Sequence, residues 1–154
     1  MRRISSTVHI DADPHAVWAV LTAFDLFHAW NPFLVRGSGT ALTGARLSLR
    51  MRRSDNGRET GFTVRVLRSD PPRLLRWRGR LPFPGLADGI PGLFDGVHTF
   101  ELRPEGGGTR VLQEEVFTGA LVPFTAGTHD RTVTGFTALT DALKVRVESP
   151  RATG

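Results

Sequence analysis

The sequence predicts an α+β fold in which a curved antiparallel sheet of about seven strands wraps around a long C-terminal helix. Three observations carry this prediction. Segments in which apolar and polar residues alternate with period two follow one another over most of the chain. The breaks between them are short and rich in Gly, Pro, Asn and Asp, so the strands connect as hairpins and pair antiparallel. The last segment switches to a period of 3.6, and its apolar stripe must cover the apolar face of the sheet. A strongly curved sheet around one helix leaves its interior unfilled at the open end, so an apolar cavity is expected there.

The first strand covers 3–10, with Ile4, Val8 and Ile10 on one parity. Asp13-Pro14 starts a helix, with Asp as N-cap and Pro at the first helical position, where its missing N–H is no loss. Val17, Val20, Leu21 and Phe24 follow at helical spacing. A second short helical turn covers 25–29 and ends at Trp30-Asn31-Pro32-Phe33, because a residue before Pro avoids the helical region.

Strands dominate from there. In 45–53, Leu47, Leu49 and Met51 point one way and Arg46, Ser48, Arg50 and Arg52 the other. Asp55-Asn56-Gly57 is a hairpin signal, since Asn and Gly tolerate positive φ. The return strand 60–69 turns Phe62, Val64 and Val66 inward, and Asp70-Pro71-Pro72 ends it. In 73–80, Leu75, Trp77 and Gly79 oppose Arg76, Arg78 and Arg80. Residues 81–93 form a Pro- and Gly-rich loop that is nevertheless apolar. We expect it to cover the cavity mouth as a lid, with Phe83, Leu86 or Ile90 dipping inward.

Strand 94–104 places Phe94, His98, Phe100 and Leu102 on one parity, and residues 105–108 turn it. In 109–119, Val111, Gln113, Glu115 and Phe117 are taken as inward. Leu112 and Val116 compete on the other parity, which would turn Glu114 inward instead. The final helix covers 123–147. Pro123 can start it, and Val133, Phe136, Leu139, Thr140, Leu143 and Val147 mark its buried face.

Length fits one domain over 1–148, with 149–154 as a frayed tail. The chain has no Cys, which excludes disulfides, thiolate chemistry and Cys-ligated metal, and fits a reducing compartment. No apolar run is long enough to span a membrane, and Met1-Arg2-Arg3-Ile4 is not followed by a signal-peptide core, so a cytoplasmic protein is expected.

No metal and no cofactor are expected. The five His stand at 9, 15, 28, 98 and 129, with none at helical ligand spacing. Gly37-Ser38-Gly39 matches neither a dinucleotide fingerprint nor a nucleophile elbow. Net charge is +5, and Lys144 is the only Lys among 20 basic residues. The outward set Arg46, Arg50, Arg52, Arg65, Arg76 and Arg78 reads as a solvated basic face. Neither interleaved aromatics nor a groove-reading helix accompanies it, so no nucleic-acid partner is expected.

The ordered motifs resemble the helix-grip fold of the START / birch-pollen-allergen superfamily, also called SRPBCC, and within it the bacterial polyketide cyclase/dehydrase and lipid-transport branch. Ile10-Asp11-Ala12-Asp13-Pro14 with Val17-Trp18 and Leu21 is similar to its opening, and Trp30-Asn31-Pro32-Phe33 to the segment after the short helices. Gly92-Leu93-Phe94-Asp95-Gly96-Val97-His98-Thr99-Phe100 and Gly108-Thr109-Arg110 through Glu115, Phe117 and Gly119 are similar to its later strands. The resemblance covers roughly residues 4–147.

It implies that a small hydrophobic molecule binds in the interior cavity, either as a polyketide-like substrate of a cofactor-independent cyclase, aromatase or dehydratase of specialised metabolism, or as the lipid-like cargo of a non-catalytic carrier or sensor. An interaction module built on the Arg face is a further alternative. The chain has no Tyr, so a cavity Tyr of the kind that cyclase branch uses has no counterpart.

Two side chains are the acid–base candidates. Parity and resemblance both turn His98 into the cavity, where an imidazole can donate or accept a proton near neutral pH. Glu115, if inward, is a carboxylate in an apolar wall. Trp30, Asn31, Phe62, Trp77, Phe100, Phe117, His129, Val133 and Phe136 are the expected ligand-binding residues.

Overall fold

The computed structural model describes residues 1–80, 90–124 and 126–149, and no side chains over 124–129. Seven antiparallel strands form one sheet in the order β1-β7-β6-β5-β4-β3-β2. They are β1 (Arg2–Ile10), β2 (Leu34–Ser38), β3 (Arg46–Arg52), β4 (Glu59–Asp70), β5 (Leu74–Arg80), β6 (Asp95–Glu105) and β7 (Gly108–Thr118). Helix α1 (Pro14–Leu21) and a 3₁₀ turn (Phe24–Ala29) join β1 to β2, and helix α2 (Ala126–Glu148) follows β7. This is the predicted helix-grip architecture: α2 lies against β1, β7 and α1, and the sheet curls around it.

The local chemistry explains most boundaries. Asp13 accepts a hydrogen bond from the Ala16 N–H at 3.1 Å, and Pro14 opens α1. Gly106 and Gly107, both at positive φ, form the two-residue turn between β6 and β7. The β3–β4 hairpin is longer than the Asn-Gly signal suggests. Gly57 alone takes positive φ there, while the Asn56 side chain accepts from the Arg58 N–H at 2.9 Å.

Two details differ from the sequence expectation. Strand β2 has no period-two mark, because Leu34 and Val35 are both buried and a bulge falls between Leu34 and Arg36. Pro123 lies in a separate 3₁₀ turn, Val122–Phe124, ahead of α2 rather than at its start.

The core runs between the inner sheet face and α2. Leu47, Leu49, Val64, Val66, Leu75, Phe100, Leu102 and Val111 meet Phe136, Leu139 and Leu143 of the helix. Gly135 lets the helix approach closely: a Cβ there would stand 2.3 Å from the Phe33 ring. Val133 departs from the predicted stripe, with 41% of its surface exposed. Stepping back four residues from Phe136 lands on Thr132, so the inward stripe passes through Thr132 and leaves Val133 on the flank. Among the described residues no helix is long and apolar enough to cross a membrane.

Candidate functional site

A pocket of about 300 Å³ opens between the sheet and the start of α2. Its wall is mostly apolar: Phe33, Leu34, Met51, Phe62, Val64, Trp77, Phe94, Phe117 and Leu121 contribute. Among the described residues, three lining residues carry titratable or charged groups: Arg80, His98 and Glu115. Two glycines shape the wall. A Cβ at Gly79 would stand 3.3 Å from Val64, and a Cβ at Gly96 would stand 2.6 Å from Glu115 Oε1. Gly96 therefore makes the room that the carboxylate occupies.

Strand register places the polar groups. Ile4, Glu115, His98, Trp77 and Val66 lie directly opposite one another across β1, β7, β6, β5 and β4, forming one row on the inner face. The inward parity of β7 is the one taken from Val111, Gln113, Glu115 and Phe117. Glu115 Oε2 lies 3.5 Å from His98 Nδ1, with side-chain exposures of 18% and 4% for the two residues. Gln113, fully buried and diagonal to His98 on β7, places its amide nitrogen 3.1 Å from His98 Nε2. Its Oε1 accepts from Ser6 Oγ at 3.5 Å, and Ser6 Oγ lies 3.3 Å from Thr140 Oγ1 on α2.

This arrangement fixes the imidazole. The Gln113 amide donates to Nε2, so the ring proton of neutral His98 sits on Nδ1, facing the Glu115 carboxylate. The ring also packs among Trp77 at 4.8 Å, Phe100 at 4.7 Å and Phe136 at 5.0 Å between centroids. Nε2 is therefore taken by Gln113 while Nδ1 faces the Glu115 carboxylate, and Glu115 is the acid–base group more open to the pocket.

The other expected ligand-binding residues fall in different places. Phe62, Trp77 and Phe117 line the pocket. Phe100 and Phe136 lie behind His98 as buried core, outside the lining. Trp30 is also outside it, edge-on to Phe27 at 5.4 Å. Asn31 acts locally: its Oδ1 accepts from the N–H groups of Phe33 and Leu34 at 3.0 and 2.9 Å, which turns the chain into β2. Val133 is exposed on the flank of α2 and does not line the pocket; Thr132 does. The His129 side chain lies outside the described residues, as do Phe83 and Leu86 of the expected lid. Ile90, at 39% exposure, does not dip inward. Arg80 and Phe94, which flank the 81–93 segment in sequence, both line the pocket.

Sequence reasoning missed Gly96, Gln113, Arg80 and Thr132 as site residues. Gln113 was legible only as an inward polar residue, and its partner depended on the register between β6 and β7.

Comparison with known proteins agrees with this architecture. Solved structures similar to this chain include protein MLL2253 from Mesorhizobium loti, at 20% identity and a TM-score of 0.71, covering 95% of this chain and 96% of that one. A second is the di-domain ARO/CYC BexL from the BE-7585A biosynthetic pathway, at 16% identity and a TM-score of 0.73, covering 97% of this chain and 50% of that one. A third is Ara h 8.0201, at 11% identity and a TM-score of 0.70, covering 97% and 99%. These likenesses establish a shared fold. None of the curated proteins matches the sequence. Residues 1–148 match the family described as polyketide cyclase / dehydrase and lipid transport, and on that match over nearly the whole chain, joined to the fold, the chain belongs to this family.

Proposed function

We propose that the protein binds a compact, largely apolar molecule in the pocket between the sheet and α2, and that Glu115 is the acid–base group presented to it. The observation that carries this is the Glu115 carboxylate standing in a mostly apolar wall with its neighbour His98 held at 3.5 Å. A pocket of about 300 Å³ is at the small end of ligand sites, so the molecule is of the size of a bicyclic or folded-chain compound.

On this reading His98 is a positioning residue. Its Nδ1–H faces Glu115 and Gln113 fixes its tautomer, so the carboxylate is held in one orientation. The reaction class that fits is an intramolecular aldol-type cyclisation of a β-dicarbonyl chain. Glu115 takes the proton between two carbonyls, the resulting carbanion attacks a further carbonyl of the same chain, and the proton returns to the alkoxide formed. The pocket walls fold the chain into a reactive conformer, which lowers the entropic part of the barrier.

Glu115→Gln tests the assignment with a poly-β-keto thioester as substrate and the neutral fluorophore N-phenyl-1-naphthylamine as binding probe. The variant is expected to lose turnover while probe affinity stays within about tenfold, or ~1.4 kcal/mol. Equal turnover by variant and parent would remove Glu115 from the chemistry. Probe binding without turnover in either protein favours a carrier.

A further inference from the structure

The outer face of the sheet holds a second concave site that the pocket chemistry does not use. Register places Arg46 of β3 opposite Arg65 of β4, and Arg65 opposite Arg78 of β5. Three guanidinium side chains thus stand in one cross-strand row, and like charges directly opposite one another repel. Arg80, two residues after Arg78, joins them. These four arginines with Thr63 and Val64 line a cleft of about 230 Å³. It is distinct from the apolar pocket, although the two share Val64 and Arg80.

The guanidinium groups of Arg65 and Arg80 are anchored. Arg65 Nη1 donates to the Gly44 carbonyl at 3.1 Å, and Arg80 Nε donates to Asp95 Oδ1 at 2.9 Å. Each anchor uses part of a group that carries five N–H donors in a planar fork, and the remaining donors stay on a rigid sheet floor. Among the described residues, the cleft lining includes neither an aromatic nor an acidic side chain, so base stacking is not what they offer. A single carboxylate supplies two oxygens. A diphosphate group supplies several negative oxygens and multiple charges within one small volume, which matches converging guanidinium forks better.

We propose that this outer cleft binds a compact phosphate polyanion of the diphosphate class, through Arg46, Arg65, Arg78 and Arg80. The group could arrive as a free phosphorylated compound or as an anionic lipid headgroup, and the probes below distinguish the two.

The test uses the full chain, with inorganic pyrophosphate followed by titration calorimetry at low and moderate salt. Arg78→Gln is compared with Arg110→Gln, which removes the same charge from an exposed position on β7 outside the cleft. Arg78→Gln is expected to weaken pyrophosphate binding at least tenfold and Arg110→Gln less than twofold, with affinity falling as salt rises. A parallel arm sediments the proteins with phosphatidylcholine vesicles with and without diacylglycerol pyrophosphate. Retention on the diacylglycerol pyrophosphate vesicles that Arg78→Gln abolishes and Arg110→Gln preserves, without pyrophosphate binding, assigns the headgroup as the source. Pyrophosphate binding with the same variant pattern assigns the free compound.

Arg78→Gln also relieves repulsion in the row, so its unfolding temperature without anion is expected to equal or exceed that of the parent, which shows that it folds. Arg65→Gln should repeat its binding defect. If neither probe binds, or if the two arginine positions respond alike, the cleft is only a solvated basic face and the proposal is wrong.

Discussion

Glu115 has its orientation because of what its neighbours lack or occupy. Gly96 leaves room beside the carboxylate, where a Cβ would come within 2.6 Å of Oε1. The atom displaced by a methyl at 96 is the end of a side chain, and alanine is the easier strand residue, so Gly96→Ala is expected to change stability by less than about 1 kcal/mol. It should nevertheless shift the His98 ring resonances, because the carboxylate must move off its 3.5 Å contact. Unchanged His98 resonances would show that the two groups are not held together. Gln113→Leu removes the donor to Nε2 and leaves a buried nitrogen unpaired, which costs about 1–3 kcal/mol. Nitrogen shifts of His98 should then show loss of the pure Nδ1–H tautomer, whereas a retained single tautomer would place its control elsewhere. The inward direction of His98 could be read from strand alternation with Phe100 and Leu102. That Gln113 takes its Nε2 could not, because the diagonal from 98 to 113 exists only once β6 and β7 are in register.

At the residue scale the surface also carries a pH-sensitive contact. Hydrogen bonding from Arg53, and then from Arg131, lowers the Asp55 carboxyl from 3.8 to about 2. Arg131 belongs to α2, and Ser54 Oγ donates to the Arg131 carbonyl at 3.3 Å, so the β3–β4 hairpin is tied to the helix. A folded-state pKa below the unfolded one gives a contribution fully present above about pH 4 and lost as pH falls through 2. An NMR titration should therefore show Asp55 with a midpoint near 2, raised more by Arg53→Gln than by Arg131→Gln. An ordinary carboxylate midpoint would show that the hairpin is not tied down.

Among the elements, α2 depends on one small residue. The Phe33 ring occupies the space over Gly135, at 2.3 Å from where a Cβ would stand, and Phe33 also meets Phe136 edge-on at 5.8 Å. The ring must shift toward the pocket it lines and give up its packing on Phe136, so Gly135→Ala is expected to destabilise by about 1–3 kcal/mol in denaturant unfolding. A loss under half that would mean the helix shifts without resistance. Element identity was legible where one face is wet and the other buried. Arg46 to Arg52 and Leu74 to Arg80 show this alternation plainly. Strand β2 escaped because Leu34 and Val35 are both buried beside a bulge. The Val133 position escaped because a 3.6-residue period defines a stripe but not its centre line, and the sheet selected Thr132 instead.

Across the whole molecule, hairpin order and one final amphipathic helix sufficed to read the architecture, since few arrangements bury a curved sheet and a single helix together. The pocket was harder to read, because its wall and the hydrophobic core draw on the same residue types: Trp77 lines it while Phe100, on the neighbouring strand, is core. Only packing decides between them.

Occupancy of that pocket by an apolar molecule can be tested through Thr60, which lies on its rim and is itself exposed, so Thr60→Trp fills space without disturbing the core. The measurement is a fluorescence titration of N-phenyl-1-naphthylamine against the parent protein and this variant. The parent should bind one equivalent saturably, and the filled variant at least tenfold more weakly with an unchanged unfolding temperature. Equal affinity for both proteins, or no saturable binding by the parent, would contradict a ligand site between the sheet and α2.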